Sequence, residues 1–318
     1  MNIYKIVFKN IILFLSLTFF SSCNEKQDKG NVLKNFQIST ERFIIHKNFP
    51  SKYVFPRNIE IWLPSGYDSL KALPVLYMFD GQNIFHGKKG WFSNKYNHGW
   101  QVDDTLDSLF LIEKAPKMIV VGIYNLGVMR RSEYMPARPL EEVKKRINQP
   151  GNLNHEYFKK YGMMSDEFLK FLVEELKPFI DDNYKTLKDK YNTFLAGSSM
   201  GGLISLWAGF EHPDVFGRIG SISPSLWWDS NMMENEYLPH KNRIDHKIWL
   251  DMGTQEGVNR QGKSLALQDT RQVSDLLKSK GYKQGEDLYY FEHVGAYHDE
   301  ASWASRIHMP LLFLFGKE

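Results

Sequence analysis

The chain has 318 residues, 42% of them hydrophobic, with 40 Lys and Arg against 37 Asp and Glu for a net charge of +3. That is ample for a substantial core, and too near neutrality to steer the protein toward nucleic acid or an anionic surface. A single cysteine, Cys23, excludes an internal disulfide and thiol chemistry in the folded domain.

At the N-terminus, Lys5 and Lys9 precede an apolar run over residues 11–20. The run is too short to span a bilayer and has the character of a signal-peptide core, so residues 1–22 are expected to be a targeting segment. It ends in Phe20-Ser21-Ser22-Cys23, which resembles a bacterial lipoprotein box. By that resemblance, Cys23 becomes the lipidated first residue of an exported lipoprotein, facing the periplasm or the cell surface. Residues 23–35 are polar and charge-rich and suit a flexible tether.

Residues 36–49 and 53–63 look extended. Residues 57–63 alternate polar and apolar, as a half-exposed strand does. Residues 73–79 form a buried strand that runs into Asp80-Gly81. A helix is expected over 103–114, and the continuous apolar run 118–123 suits a central parallel strand. The polar stretch 125–162 is too long for an ordinary loop and is expected to be an insertion near the site. Residues 165–181 are amphipathic, with Pro178 expected to kink the last turn. Strands follow at 192–196, 218–223, 247–252 and 288–294, and helices at 203–210, 263–280 and 301–315. Alternating strands and helices predict one α/β domain over 36–318, with a mostly parallel central sheet flanked by helices on both faces.

Gly197-Ser198-Ser199-Met200-Gly201 joins one such strand to one such helix. This is the G-x-S-x-G pattern of a nucleophile elbow, which pushes Ser199 Oγ out of a sharp turn at the sheet edge. A serine hydroxyl needs an adjacent base. In this fold the chain order is Ser, acid, His. His298 lies between the last strand and the last helix, whereas His293 and His308 lie inside regular elements and are read as structural. The acid should follow strand 247–252. Glu256, in a loop, can reach an imidazole more freely than Asp251, which the pleat holds; both stay candidates. The backbone N–H groups of Met200, at the helix start, and of Gln82, after Asp80-Gly81, suit an oxyanion hole.

Residues 257–264 match the phosphate-loop pattern G-x-x-x-x-G-K-[ST]. Three intervening residues after the strand, the position of Asp80 and an exported location argue against nucleotide binding. No His/Glu cluster has zinc spacing, so neither metal nor cofactor is expected.

These residues together resemble the esterase family that includes esterase D, feruloyl and acetylxylan esterases, enterochelin esterases and mycolyltransferases. The resemblance covers roughly 55–318. It rests on residues 75–81, 120–123, 197–202, Ser223-Pro224-Ser225-Leu226-Trp227-Trp228, residues 253–256, and 298–303 with Arg306. It implies an α/β-hydrolase fold and a serine carboxylic-ester hydrolase, with the acid mapped to Glu256 and the second oxyanion donor to Gln82. Many relatives carry Asp at the acid position, which keeps Asp251 in play. The expected substrate is an acyl ester of a carbohydrate or related small molecule, with a siderophore ester as the alternative. A non-catalytic ligand-binding relative is the alternative of another class. Trp91, Trp100, Trp227 and Trp228 could stack on substrate rings or simply pack. Arg130, Arg131 and Arg138 could meet an anionic substrate or pair with Glu133, Glu141 and Glu142.

Overall fold

The computed structural model describes strand Gln37–Ser39, residues 42–85, 99–137, 145, 153–229 and 233–316. The signal segment, Cys23, the tether, Trp91 and Arg138 lie outside the described residues.

The described strands are β1 (Gln37–Ser39), β2 (Phe43–Phe49), β3 (Arg57–Trp62), β4 (Val75–Phe79), β5 (Ile119–Ile123), β6 (Thr193–Ser198), β7 (Arg218–Ile222), β8 (Lys247–Gly253) and β9 (Leu288–His293). They form one sheet in the order β1-β2-β3-β5-β4-β6-β7-β8-β9. From β5 to β9 every pairing is parallel, while β1, β2 and β3 add an antiparallel flank. Strands β4, β5 and β6 are buried along their whole length, which is why they read as uninterrupted apolar runs.

The pleat divides the core in two. Along β4, Val75, Tyr77 and Phe79 pack on one face and Leu76 and Met78 on the other. Helices α1 (Val102–Leu111), α2 (Arg130–Tyr134), α3 (Leu153–Tyr161), α4 (Ser165–Lys170), α5 (Lys177–Asn183), α6 (Met200–Glu211), α7 (Leu265–Ser279), α8 (Glu300–Arg306) and α9 (His308–Phe315) cover both faces. Phe168, Trp207 and Leu277 belong to the first core, and Leu106, Trp303 and Leu311 to the second.

Three expectations change. Strand β3 is buried on both faces rather than half-exposed. Its polar residues are satisfied internally: Glu60 accepts from the Tyr124 hydroxyl at 2.7 Å, and Arg57 forms a forked pair with Glu133. Among the described residues, Glu133 is thus the partner of Arg57. Pro178, which has no N–H, follows a widened π turn over Phe171–Leu176 that links α4 to α5. The last helix breaks at Ile307 into α8 and α9, and Pro310 sits in the first turn of α9, where its missing N–H is tolerated.

Arg57 and Glu133 have side chains with no exposure, and the guanidinium also lies over Phe168 and Phe171. Removing one partner leaves an uncompensated buried charge. Glu133→Ala should therefore cost about 3–5 kcal/mol in urea unfolding, and Arg57→Met with Glu133→Leu should recover much of it. Equal losses in the single and double variants would refute this.

Candidate active site

The site is built where the parallel strands end. Strand β6 has β4 and β7 as neighbours. The residues that follow these three strands, Ser199, Asp80 and Ser223, all have positive φ without being glycine, at 58°, 58° and 44°. Such strain persists only where surrounding bonds over-determine it. At Ser199 the N–H donates to the Ile222 carbonyl at 3.0 Å, and the Ser199 carbonyl accepts from Leu203 N–H at 3.1 Å. Glycines let α6 approach the sheet. A Cβ on Gly197 would lie 2.8 Å from the Gly201 backbone, and one on Gly202 would lie 2.7 Å from the Ile222 carbonyl.

Ser199, His298 and Glu256 come together. Ser199 Oγ is 2.9 Å from His298 Nε2, and His298 Nδ1 is 2.6 Å from Glu256 Oε2. Trp227 and Trp303 meet the imidazole edge-on from ring centroids 5.6 and 5.0 Å away. Glu256 is buried, and its other oxygen accepts from Gly253 N–H at 2.8 Å and from Ser223 Oγ at 2.7 Å.

Asp251 is placed differently. Its carboxylate accepts from Trp249 Nε1, the Ser223 N–H and an Arg306 nitrogen at 2.7, 3.1 and 3.0 Å. Among the described residues, it is Glu256 that bonds to His298. Arg306 is 3.5 Å from Glu256 as well, so one buried guanidinium serves both carboxylates. It also donates to Ser223 Oγ, as does Trp303 Nε1. Ser223, Trp303 and Arg306 had no role assigned from sequence. Only their place in the resemblance marked them.

Met200 opens α6, and Gln82 lies in a short 3-10 turn over Gly81–Asn83 at the end of β4. First-turn N–H groups have no carbonyl partner within their own helix, which leaves them available to an anion. A Cβ on Gly81 would come within 2.3 Å of the Gly122 backbone, so the turn packs directly on β5. The Gln82 side chain pins Asn125 by accepting from its N–H.

A cleft of about 580 Å³ opens over Ser199, with Trp100, Trp227, Trp303, Tyr157, Arg130 and Arg131 in its wall. Trp100 is buried and stacks at a tilt on Trp303, whereas Trp227 is exposed at the rim. The Trp228 side chain lies outside the described residues. Arg130 makes two 2.7 Å bonds to Asp80, and Asn125 donates to the same carboxylate. That acidic partner holds the Arg130 pKa above its usual value despite burial.

The phosphate-loop look-alike is turned inward. Asn259 Oδ1 accepts from the N–H groups of Gln261 and Lys263, and the Asn259 carbonyl accepts from Gly262 N–H. Ser264 caps α7 and donates to the Glu256 carbonyl. The amides that would cradle a phosphate are already committed, and the loop braces Glu256 instead.

The model of the family described as Putative esterase matches residues 55–314. The chain belongs to that family. It is 26% identical over 82% of its length to the uncharacterized protein YbbA of Bacillus subtilis, covering 93% of that protein. It is 25% identical over 70% of its length to an endo-1,4-beta-xylanase/feruloyl esterase of Xylanibacter ruminicola, of which it spans 25%. The enterobactin esterase FES of Shigella flexneri, solved with enterobactin, shares the fold at a TM-score of 0.61 and 19% identity, over 88% of this chain and 60% of that one. The family and fold make this esterase a carboxylic-ester hydrolase of the α/β-hydrolase class.

Arg306→Met leaves two buried carboxylates without their cation. It should destabilise the esterase by about 3–5 kcal/mol in urea unfolding. The acid limb of its pH–rate profile should move to higher pH, because removing a cation eases proton binding nearby. An unmoved limb with unchanged stability would show that Arg306 is not the shared counter-charge.

Proposed function

We propose that the protein is a serine esterase that works through an acyl-enzyme on Ser199. One observation carries this reading: Ser199 Oγ, the His298 ring and Glu256 stand in a continuous hydrogen-bonded line of 2.9 and 2.6 Å at the floor of an open cleft. Glu256 accepts the Nδ1 proton and so leaves Nε2 free to take the proton of Ser199 as Oγ attacks the ester carbonyl. The N–H groups of Gln82 and Met200 are the proposed donors to the tetrahedral oxyanion. The protonated imidazole then gives its proton to the leaving alcohol. Water, activated by the same nitrogen, releases the acid.

The proposed substrates are acyl esters of carbohydrates or related small molecules. Trp100 and Trp227 offer apolar ring faces along the cleft. The similarity to a xylanase/feruloyl esterase supports the same class. A siderophore ester is the second reading, through the fold shared with the enterobactin esterase. Against an anionic ligand, Arg130 is already neutralised by Asp80. The loss of chemistry in a binding-only relative is disfavoured by the intact hydrogen-bonded line. Export and lipid anchoring at Cys23 belong to this proposal and rest on residues 1–23 alone.

Ser199→Ala should lower kcat on nitrophenyl acetate by on the order of 10⁴-fold or more. Retained turnover would return the binding-only reading. Glu256→Ala should lower kcat by roughly 10⁴-fold with a KM near that of the parent, whereas Asp251→Asn should act mainly on stability. The reverse pattern would make Asp251 the acid. Labelled palmitate fed to a bacterial host should enter the parent chain and not Cys23→Ala. Equal labelling would remove the anchor.

A further inference from the structure

Ser225 Oγ lies 2.9 Å from Ser199 Oγ, and the residue is fully buried. Its N–H donates to the Ser199 carbonyl at 3.0 Å, and Pro224 precedes it, so the hydroxyl is held rather than free to wander.

Counting protons fixes the direction of the bond. An ionised Glu256 only accepts, so the proton between it and His298 sits on Nδ1. A neutral imidazole with Nδ1–H has an accepting Nε2. Ser199 has one proton and gives it to Nε2. The bond between the two serines must then use the proton of Ser225, donated to a lone pair of Ser199 Oγ.

We propose that Ser225 is a further catalytic residue, whose hydroxyl stabilises Ser199 Oγ as the leaving group of deacylation. This rests on the serine mechanism proposed above. In the acyl-enzyme, Oγ is the alkoxy oxygen of an ester, a poor acceptor, and the bond from Ser225 is weak. Water then adds to the acyl carbon as His298 Nε2 takes its proton. The C–Oγ bond breaks, its electron pair passes to Oγ, and His298 returns the proton there. Negative charge grows on Oγ in that step, and a preset donor is worth most where charge develops. The transition state that forms the C–Oγ bond in acylation also carries charge on Oγ, but there the resting Ser199 hydroxyl already accepts the Ser225 bond, so the gain over the ground state is smaller. The contribution is therefore one-sided: it shortens the life of the acyl-enzyme and leaves its formation little changed.

The test is stopped-flow hydrolysis of nitrophenyl acetate by the parent, Ser225→Ala and Ser225→Cys, with acetyl on the Ser199 peptide followed by mass spectrometry. Ser225→Ala should slow deacylation by roughly 10- to 100-fold with less than about a threefold change in acylation. The acetyl-enzyme should accumulate to a burst approaching one per site. The thiol of Ser225→Cys, a weaker donor, should fall between. Stoichiometric labelling of Ser199 by a phosphonate ester reports that each variant is folded, and Ser225→Cys carries the test if the alanine variant is not. Equal slowing of both steps would make Ser225 merely an orienting residue and overturn the proposal, as would unchanged deacylation. A parent that turns over without ever carrying acetyl on Ser199 would sink the serine mechanism itself, which is a distinct result.

Discussion

One buried cation holds the site in place. Arg306 is 1% exposed and lies between Asp251 and Glu256, themselves 0% and 1% exposed. Desolvating two carboxylates is prohibitive without such a partner, and one guanidinium nitrogen, Nη2, meets them and Ser223 from a single position. Formally the cluster is left one negative charge in excess. When the imidazole takes a proton, that excess is matched. On the serine mechanism proposed above, the arrangement favours the charge that forms during turnover, and its dipoles are set before the reaction begins.

The scaffold around this cluster is a set of close approaches at strand ends. Asp80, Ser199 and Ser223 leave three adjacent strands through turns of positive φ. Each turn is held from several directions: Asp80 by Arg130 and Asn125, Ser199 by β7, and Ser223 by Trp303, Arg306 and Glu256. Strain concentrated in this way keeps Ser199 out of the helix that follows it and presents it to the cleft.

Much of this was legible in the residue pattern because it is local. A G-x-S-x-G between a strand and a helix demands a sharp turn, and the fully buried strands β4 to β6 read as unbroken apolar runs for a reason visible along the chain. The loop position favoured Glu256 over Asp251, but the partners that occupy Asp251 were not legible. They include Trp249 and Arg306, and Arg306 lies 55 residues from Asp251. Strand β3 was misjudged for the same reason: the partner that permits Arg57 to be buried is 76 residues away. The phosphate-loop match, set aside on its context along the chain, shows the converse case, where spacing satisfied a pattern whose backbone amides fold onto Asn259. Pro310 was a local sign of the break before α9, masked by the apolar run around it.

His298, Trp303 and Arg306 all follow the ninth strand, within one loop and one short helix. An emerging polypeptide can present its serine long before either the base or the counter-charge has been translated. Until that segment docks, Ser199 lacks its hydrogen-bond partner His298 and Glu256 lacks its cation. On the serine mechanism proposed above, hydrolytic competence would therefore arrive only once this segment has been made and has docked.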